Sequence, residues 1–358
     1  MNTTLDTSER PMVLIWEVTQ ACDLACEHCR ADAQAQRHPD ELSTAEGKAL
    51  LESVREFADN QLVVLSGGDP CKRPDLTELV EYGADLGLQM SLTPSGTSSL
   101  TGDVIDELAD AGLRRFAVSV DGGDAAAHDA FRGEDGSFEA TVSAASHARD
   151  AGLPLQINTT VCAQTVGQLP AIRDLVRELG AVLWSVFFLV PVGRGQLLDP
   201  IPPERAEAVM AWLAETVEDE PFGVKTTEAP HFRRVKLQRR GEDADGGLRR
   251  RGGIVAGDGF AFVSHVGEIF PSGFLPRPAG NVREDDLVDV YRNAPLFERL
   301  RDRDQLTGKC GACEFRHVCG GSRSRAFAHT GDPLASDPLC PYQPAGYEYE
   351  EPNPATGD

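Results

Sequence analysis

Three cysteines carry the first chemistry this chain offers. Cys22, Cys26 and Cys29 stand in TQACDLACEHCR with the spacing C-x3-C-x2-C, directly after the apolar β-type run MVLIWEV at 12–18. Three thiolates on one short loop can hold three irons of a cubane and leave the fourth iron without a protein ligand. An iron with an open position can bind a substrate or cofactor, so the spacing points to chemistry rather than to a scaffold. The competing reading is a structural zinc loop. Zinc favours C-x2-C knuckles and a closed set of four ligands. The only nearby fourth candidate is His28, which so tight a loop directs elsewhere.

A second set, Cys310-x2-Cys313-x5-Cys319-x20-Cys340, lies near the far end of the chain. Four cysteines close a shell, and that shell suits either a zinc ion or a second iron–sulfur cluster. Cys71 and Cys162 stand apart from both sets. The default for each is a small buried apolar side chain, although Cys71 follows a Gly-Gly-Asp-Pro turn where a hydrogen-atom donor or substrate contact is conceivable.

The bulk composition bounds the rest. With 358 residues and 41% hydrophobic content, the chain can build one large domain and a small one. No stretch approaches the ~20 apolar residues that span a bilayer. The first residues carry no charged-then-apolar signal pattern. Nine cysteines without an export signal argue for metal ligation in a reducing, cytoplasmic compartment rather than for disulfides. The formal net charge is −23, from 57 acidic and 34 basic residues, and only five of the basic residues are lysines. A carboxylate-rich, lysine-poor surface fits a halophile and argues against nucleic acid as a partner.

The elements that must position the cysteines alternate along the chain. Strand candidates are 12–18, 61–66, 88–93, 115–120, 153–161 and 183–190. Amphipathic helices fit 44–58, 103–111, 168–179 and 200–217, and a further helix follows Asp75. Ser43 with Glu46 forms a capping box, and Asp75 with Glu78 repeats it. Such βα repetition predicts an α/β fold with a parallel sheet and helices outside, open or barrel-shaped. The arginine-rich segment 231–253 breaks periodicity and reads as a linker or loop; 341–358 reads as a disordered acidic tail.

In parallel α/β folds, ligands gather at the carboxyl ends of the strands. Here those ends carry the cysteine loop, Gly67-Gly68-Asp69-Pro70, Ser95, Ser119 with Asp121, Asn158, and Arg194. Small and polar residues at every strand end describe one shared pocket.

The cysteine loop after strand one, with Gly67-Gly68-Asp69-Pro70 after strand two, resembles the radical S-adenosylmethionine (SAM) superfamily over residues 12 to 195. The resemblance implies a partial (β/α)6 TIM-like barrel, a SAM-binding [4Fe-4S] cluster on Cys22, Cys26 and Cys29, and SAM on its open iron. It further implies that Gly67 and Gly68 admit the methionine amine. Asp69 stands where a glutamate is more usual. His28 takes the aromatic position beside adenine. Ser95, Ser119, Asp121 and Asn158 join the polar strand-end residues, and Arg132 pairs with the SAM carboxylate. The second cysteine set resembles the SPASM or twitch extension, an α+β iron–sulfur domain, and implies an auxiliary [4Fe-4S] cluster on Cys310, Cys313, Cys319 and Cys340. Ser272 occupies a place where a cysteine is expected, and CGGSRSR departs from the commoner CGGCRAR, so the resemblance implies one auxiliary cluster. The implied domains are a tail at 1–11, the barrel at 12–199, a helix and linker at 200–253, the auxiliary-cluster domain at 254–340 and a tail at 341–358.

Within this superfamily, FLPRPAGNVRED, CGGSRSRAFAHTGDP and HDAFRG look most like enzymes of tetrapyrrole side-chain processing in haem synthesis. Several substrate carboxylates would suit Arg194, Arg233, Arg234 and Arg249–Arg251, although a solvated basic loop also explains those arginines. The alternatives are a peptide maturase of the SPASM type and a non-catalytic iron–sulfur electron carrier. The start of the first strand near residue 12 leaves no peptide-binding domain ahead of the barrel, which favours a small-molecule substrate. The resemblance also implies an electron donor such as ferredoxin.

Overall fold

The first strand, β1 (Val13–Thr19), is an apolar run that buries Leu14, Trp16 and Val18 on one face and half-buries Val13 and Ile15 on the other. A strand so apolar needs cover on both faces, the mark of a parallel sheet. A computed structural model describes residues 6–240 and 254–347 and shows that sheet. β1 is followed by β2 (Leu62–Gly67), β3 (Gln89–Leu92), β4 (Arg115–Ser119), β5 (Leu155–Val161), β6 (Leu183–Phe188) and β7 (Gly223–Thr227), each parallel to the one before. On the other side of β1 lie β8 (Phe260–Val263), parallel to it, and the short antiparallel β9 (Glu268–Phe270) and β10 (Gly280–Asn281). The ten strands run β10-β9-β8-β1-β2-β3-β4-β5-β6-β7, and the two ends do not pair, so the barrel stays partial.

All six strands expected from the sequence are present, within about two residues at each end. The sheet is larger than six strands, however, and runs across both expected units. β7 lies in what reads as linker, because GVKTT is short and polar and carries no apolar signal.

The helices cover the outer face. α1 (Thr44–Arg55) opens with the expected capping box: Ser43 Oγ accepts from Glu46 N, and Glu46 Oε2 accepts from Ser43 N. It packs Leu50, Leu51 and Val54 inward. α2 (Leu76–Asp85) differs from expectation. Asp75 makes no capping bond; its carboxylate is taken by Arg73 and by Thr44 Oγ1 at 2.7 Å. α3 (Gly102–Asp110), α6 (Leu169–Glu178) and α7 (Pro203–Asp219) form as read. Between β4 and β5 the chain adds α4 (Ala125–Arg132), capped by Asp124, and α5 (Ser137–Asp150).

The arginine-rich segment needs correction as well. Residues 232–240 form α8 (Phe232–Arg240), whose Phe232, Val235 and Leu237 are buried. The rest of the expected loop, with Arg249–Arg251, lies outside the described residues, as does the tail from 348. Among the described residues no helix is long and apolar enough to cross a membrane.

Candidate active site

The cysteine loop leaves β1 and is clamped from two sides. Gly67 and Gly68 press against the backbone that enters it. An added Cβ at Gly67 would stand 2.4 Å from Thr19 O, and one at Gly68 2.4 Å from Ala21 O. Gly68 N donates to Thr19 O at 2.9 Å and Asp69 N to Ala21 O at 2.6 Å. The glycines are thus required by close backbone approach inside the protein itself. From the far side, Arg194 N donates to Cys29 O and Arg194 Nε to Cys26 O, each at 3.0 Å, while Arg194 Nη1 meets Asp32. Arg194 therefore ties the loop down and is not a solvated charge.

Each of the three sulfurs accepts from a nitrogen. Leu24 N reaches Cys22 Sγ at 3.3 Å, Ala33 N reaches Cys29 Sγ at 3.4 Å, and Arg132 Nη1 reaches Cys26 Sγ at 3.7 Å. Cys22 and Cys26 are buried, and burial pushes the Cys22 thiol up. A bare thiol in that setting resists ionisation, whereas a cluster's irons would hold thiolates there and donors of this kind would tune them.

Beside the sulfurs stands a buried charged group. Arg132 Nη2 lies 2.7 Å from Asp121 Oδ2, off the line of a hydrogen bond, so both atoms keep unused bonding capacity. Asp121 Oδ1 accepts from Thr160 N at 2.6 Å. Burial pulls the Asp121 carboxyl up, but the charges of Arg132 and His28 and the Thr160 N–H outweigh it and hold it below its ordinary value. His28 Nε2 is 3.9 Å from the same carboxylate, and its ring stacks on Phe131, centroids 4.6 Å apart and 9° from parallel. Burial drives the His28 imidazole down to about 4, so it is neutral at pH 7. Phe131 stood in the sequence only as part of HDAFRG; the stack that holds His28 requires the fold.

The remaining expected residues divide. Ser95 Oγ sits 3.5 Å from Cys22 Sγ and donates to Gly68 O at 2.8 Å. Ser119, Asn158 and Ser185 share one register layer across β4, β5 and β6, with Lys225 next on β7. Asn158 Oδ1 accepts from Gln156 at 2.7 Å. Asp69 is fully buried, and both its oxygens are used within the loops: Oδ1 by Cys71 N and Ser95 N, Oδ2 by Thr97 Oγ1 at 2.8 Å. It fastens the strand-two loop to the strand-three loop. Cys71 borders this turn, and burial, then Asp69, pushes its thiol up. Cys162 packs with Phe131, Leu189 and Leu198.

The second cysteine set also comes together. Cys310, Cys313, Cys319 and Cys340 line one cavity with Arg234, Lys309 and Tyr342. Cys310 Sγ accepts from Asp337 N at 3.4 Å and Arg323 Nη2 at 3.7 Å, Cys319 Sγ from Gly321 N at 3.4 Å, and Cys340 Sγ from Arg234 Nη2 at 3.8 Å. Burial pushes the Cys319 thiol up to about 12. Arg234, read from sequence as solvent-facing, is buried and paired with Glu207. Among the described residues, no three His, Cys, Asp or Glu side chains converge as on a single metal ion.

Ser272 sits elsewhere. Its Oγ donates to Glu228 Oε1 at 3.1 Å; Ser324 Oγ donates to the same oxygen at 2.9 Å and Ser322 Oγ to Oε2 at 2.5 Å. The two serines found where cysteines were expected thus share one carboxylate.

Residues 16–176 match the radical SAM superfamily. The chain is 41% identical to the AdoMet-dependent heme synthase of Methanosarcina barkeri, over 93% of this chain and 97% of that protein. It is 39% identical to the AdoMet-dependent heme synthase of Nitratidesulfovibrio vulgaris, over 95% and 94%. Among solved structures, SuiB of Streptococcus suis bound to S-adenosylmethionine superposes with a TM-score of 0.74 at 17% identity, over 93% of this chain and 78% of that one. That likeness concerns the fold.

Proposed function

We propose, from the premise that this chain belongs to the radical SAM superfamily, that it modifies carboxylate side chains of a tetrapyrrole in haem synthesis. The observation that carries the reading is the 41% identity to a heme synthase over nearly the full length of both chains. A match confined to the cluster loop would speak only for SAM. One that runs through the second cysteine set also covers the parts that face a substrate.

The residues fit the SAM cluster. Three sulfurs on one loop each carry a nitrogen donor. Next to them, Arg132 Nε, Arg132 Nη2, Asp121 Oδ2 and His28 Nδ1 are buried without an aligned hydrogen-bond partner in the structure. Buried polar atoms left unmatched suit a polar ligand that completes them. When bound, the [4Fe-4S] cluster and SAM supply the reductive cleavage that yields a 5′-deoxyadenosyl radical for hydrogen abstraction. The chain's own tasks are positional. Asp121 and Arg132 hold a fixed charge pair beside Cys26. The neutral His28 ring, propped on Phe131, offers a flat face. Ser95, Ser119 and Asn158 supply polar contacts from the strand ends, while Asp69 and Arg194 keep the loops in place.

The second set fits one auxiliary [4Fe-4S] cluster on Cys310, Cys313, Cys319 and Cys340. Four sulfurs lining one cavity, two of them with an arginine donor, suit a cluster held by four thiolates. The oxygen cage of Glu228, Ser272, Ser322 and Ser324 offers no sulfur for a further cluster.

The test is an anaerobic assay of reconstituted protein with dithionite and SAM, at high salt. Iron-coproporphyrin III and didecarboxysirohaem are supplied in parallel, with mass spectrometry of nucleoside and tetrapyrrole. Substrate-dependent 5′-deoxyadenosine with loss of carboxyl-derived mass is expected. Deoxyadenosine with both tetrapyrroles unchanged would remove the substrate and turn the search to peptides. No deoxyadenosine at all would leave an electron carrier.

A further inference from the structure

Four arginines are buried around the second cysteine set, and three have a carboxylate. Arg234 meets Glu207 at 2.5 Å, Arg303 meets Asp258 at 2.7 Å and Arg325 meets Asp337 at 3.1 Å. Among the described residues Arg323 is the exception, with no carboxylate in ion-pair contact. It has no solvent exposure, and its guanidinium donates to the carbonyls of Gly321 at 3.2 Å, Pro333 at 2.8 Å and Ala335 at 2.8 Å. Its remaining contact is Cys310 Sγ at 3.7 Å. Carbonyl dipoles solvate a cation but do not neutralise it. A buried cation whose direct contacts include no carboxylate favours an anion at its remaining face.

Gly321 points the same way. Its φ of +68° lies in the left-handed region. An added Cβ there would stand 2.6 Å from Arg323 Nη2 and 3.1 Å from Cys310 Sγ. Any side chain at 321 would occupy the gap through which the guanidinium reaches the sulfur.

We propose that Arg323 is the counter-charge of the auxiliary cluster: its guanidinium, held against Cys310 Sγ, offsets the negative charge of the four thiolates and raises the reduction potential of the cluster they hold. The inference rests on the reading that these cysteines bind an iron–sulfur cluster. Its physical basis is general. A cluster on four thiolates is a net anion, reduction adds one more negative charge, and a fixed cation at the sulfurs favours the reduced form. Burial keeps water from screening the effect. Arg323 acts through Cys310 and is a positioning residue. The SAM cluster is arranged differently, since the arginine at its sulfur, Arg132, is already balanced by Asp121.

The experiment uses the full chain, reconstituted anaerobically with iron and sulfide. Cys22, Cys26 and Cys29 are replaced by alanine so that only the auxiliary centre contributes a spectrum. Midpoint potentials are read by EPR-monitored titration in Arg323→Gln and Arg323→Lys, with iron counted per chain. Arg323→Gln is expected to titrate at a clearly lower potential, with Arg323→Lys closer to the unsubstituted protein. An unchanged potential at full iron content in Arg323→Gln overturns the proposal. If Arg323→Gln does not retain the cluster, retention in Arg323→Lys supports a charge requirement, and loss in both overturns it in favour of a shape requirement. Zinc, or no cluster iron, in the parent protein would instead strike the reading on which the inference stands.

Discussion

Arg325 and Asp337 form a buried ion pair, with Nη1 at 3.2 Å from Oδ1 and 3.1 Å from Oδ2, at the seam between the barrel and the second cysteine set. The other nitrogens of Arg325 bind the carbonyls of Phe188 and Leu189, at the carboxyl end of β6, and of Glu228, just beyond β7. Asp337 N donates to Cys310 Sγ. One pair therefore fastens two strand ends to a candidate cluster ligand.

Removing half of that pair should be costly. Burial pulls the Asp337 carboxyl up, yet Arg325, His231 and two backbone N–H groups hold it down to about 2. Its folded-state value is thus below the ordinary 3.8, and its contribution to stability is present above about pH 4 and lost as pH falls through 2. Asp337→Asn should cost about 3–5 kcal/mol at pH 7, because Arg325 is left buried and unpaired. Denaturant titrations of both proteins should show that gap at pH 7 and a narrowing gap between pH 4 and 2. A pH-independent difference would mean that packing, not charge, holds the seam.

The loop glycines yield a sharper steric prediction. Gly68→Ala places a methyl 2.4 Å from Ala21 O and 2.6 Å from Gln20 O, against backbone that cannot rotate away. A cost of about 1–3 kcal/mol is expected from overpacking. Because the displaced backbone leads into Cys22, reconstituted iron at the first cysteine set should fall while the second set fills normally. Equal filling of both sets would mean that the turn is more compliant than its contacts imply.

How much of this was legible from residues alone differs by feature. The six strands were readable as short β-type runs between amphipathic helices, with Leu14, Trp16, Val63, Leu65, Ile157 and Val186 buried under the helices. α5 was not, since its inward face is Thr141, Ala144, Ala145 and Ala148, too small to stand out as a hydrophobic stripe. α8 was misread because FRRVKLQRR is mostly charge, yet Arg234 serves Glu207 and Cys340 and is buried. The cysteines were legible as sets by spacing. The oxygen cage of Glu228 was not, because Ser272 and Ser322 are 50 positions apart and nothing local marks the carboxylate they share.

Arg132 offers a test of the SAM site. Arg132→Met removes the donor to Cys26 Sγ and leaves Asp121 buried beside a neutral His28. A charge-assisted hydrogen bond to a bound ligand is worth about tenfold or more in affinity. SAM affinity should weaken by that order, read from the change that SAM causes in the EPR spectrum of the reduced cluster, with iron content little changed. Unaltered affinity would assign Arg132 to the fold alone.

Lys225 supplies the last prediction, and it bears on the substrate. Ser119, Asn158, Ser185 and Lys225 are register partners across four neighbouring strands, so their side chains share one face of the sheet. The opposite face carries Trp184, which packs on Trp212 of α7, so the shared face lines the barrel lumen. Lys225 is exposed at the open edge, yet desolvation, then repulsion from Arg115, lowers its ammonium to about 8. A lumen cation beside polar side chains suits a substrate carboxylate. Lys225→Met should raise KM for a carboxylate-bearing tetrapyrrole by about tenfold or more, the worth of one charge-assisted hydrogen bond, and leave substrate-free SAM cleavage intact. The sign with pH follows from the lowered value: the ammonium is present below 8 and lost above it. Substrate binding should therefore weaken as pH rises from 7 to 9 in the parent protein and stay flat in Lys225→Met. A parallel decline in both would place the titrating group elsewhere and leave Lys225 as edge-strand protection.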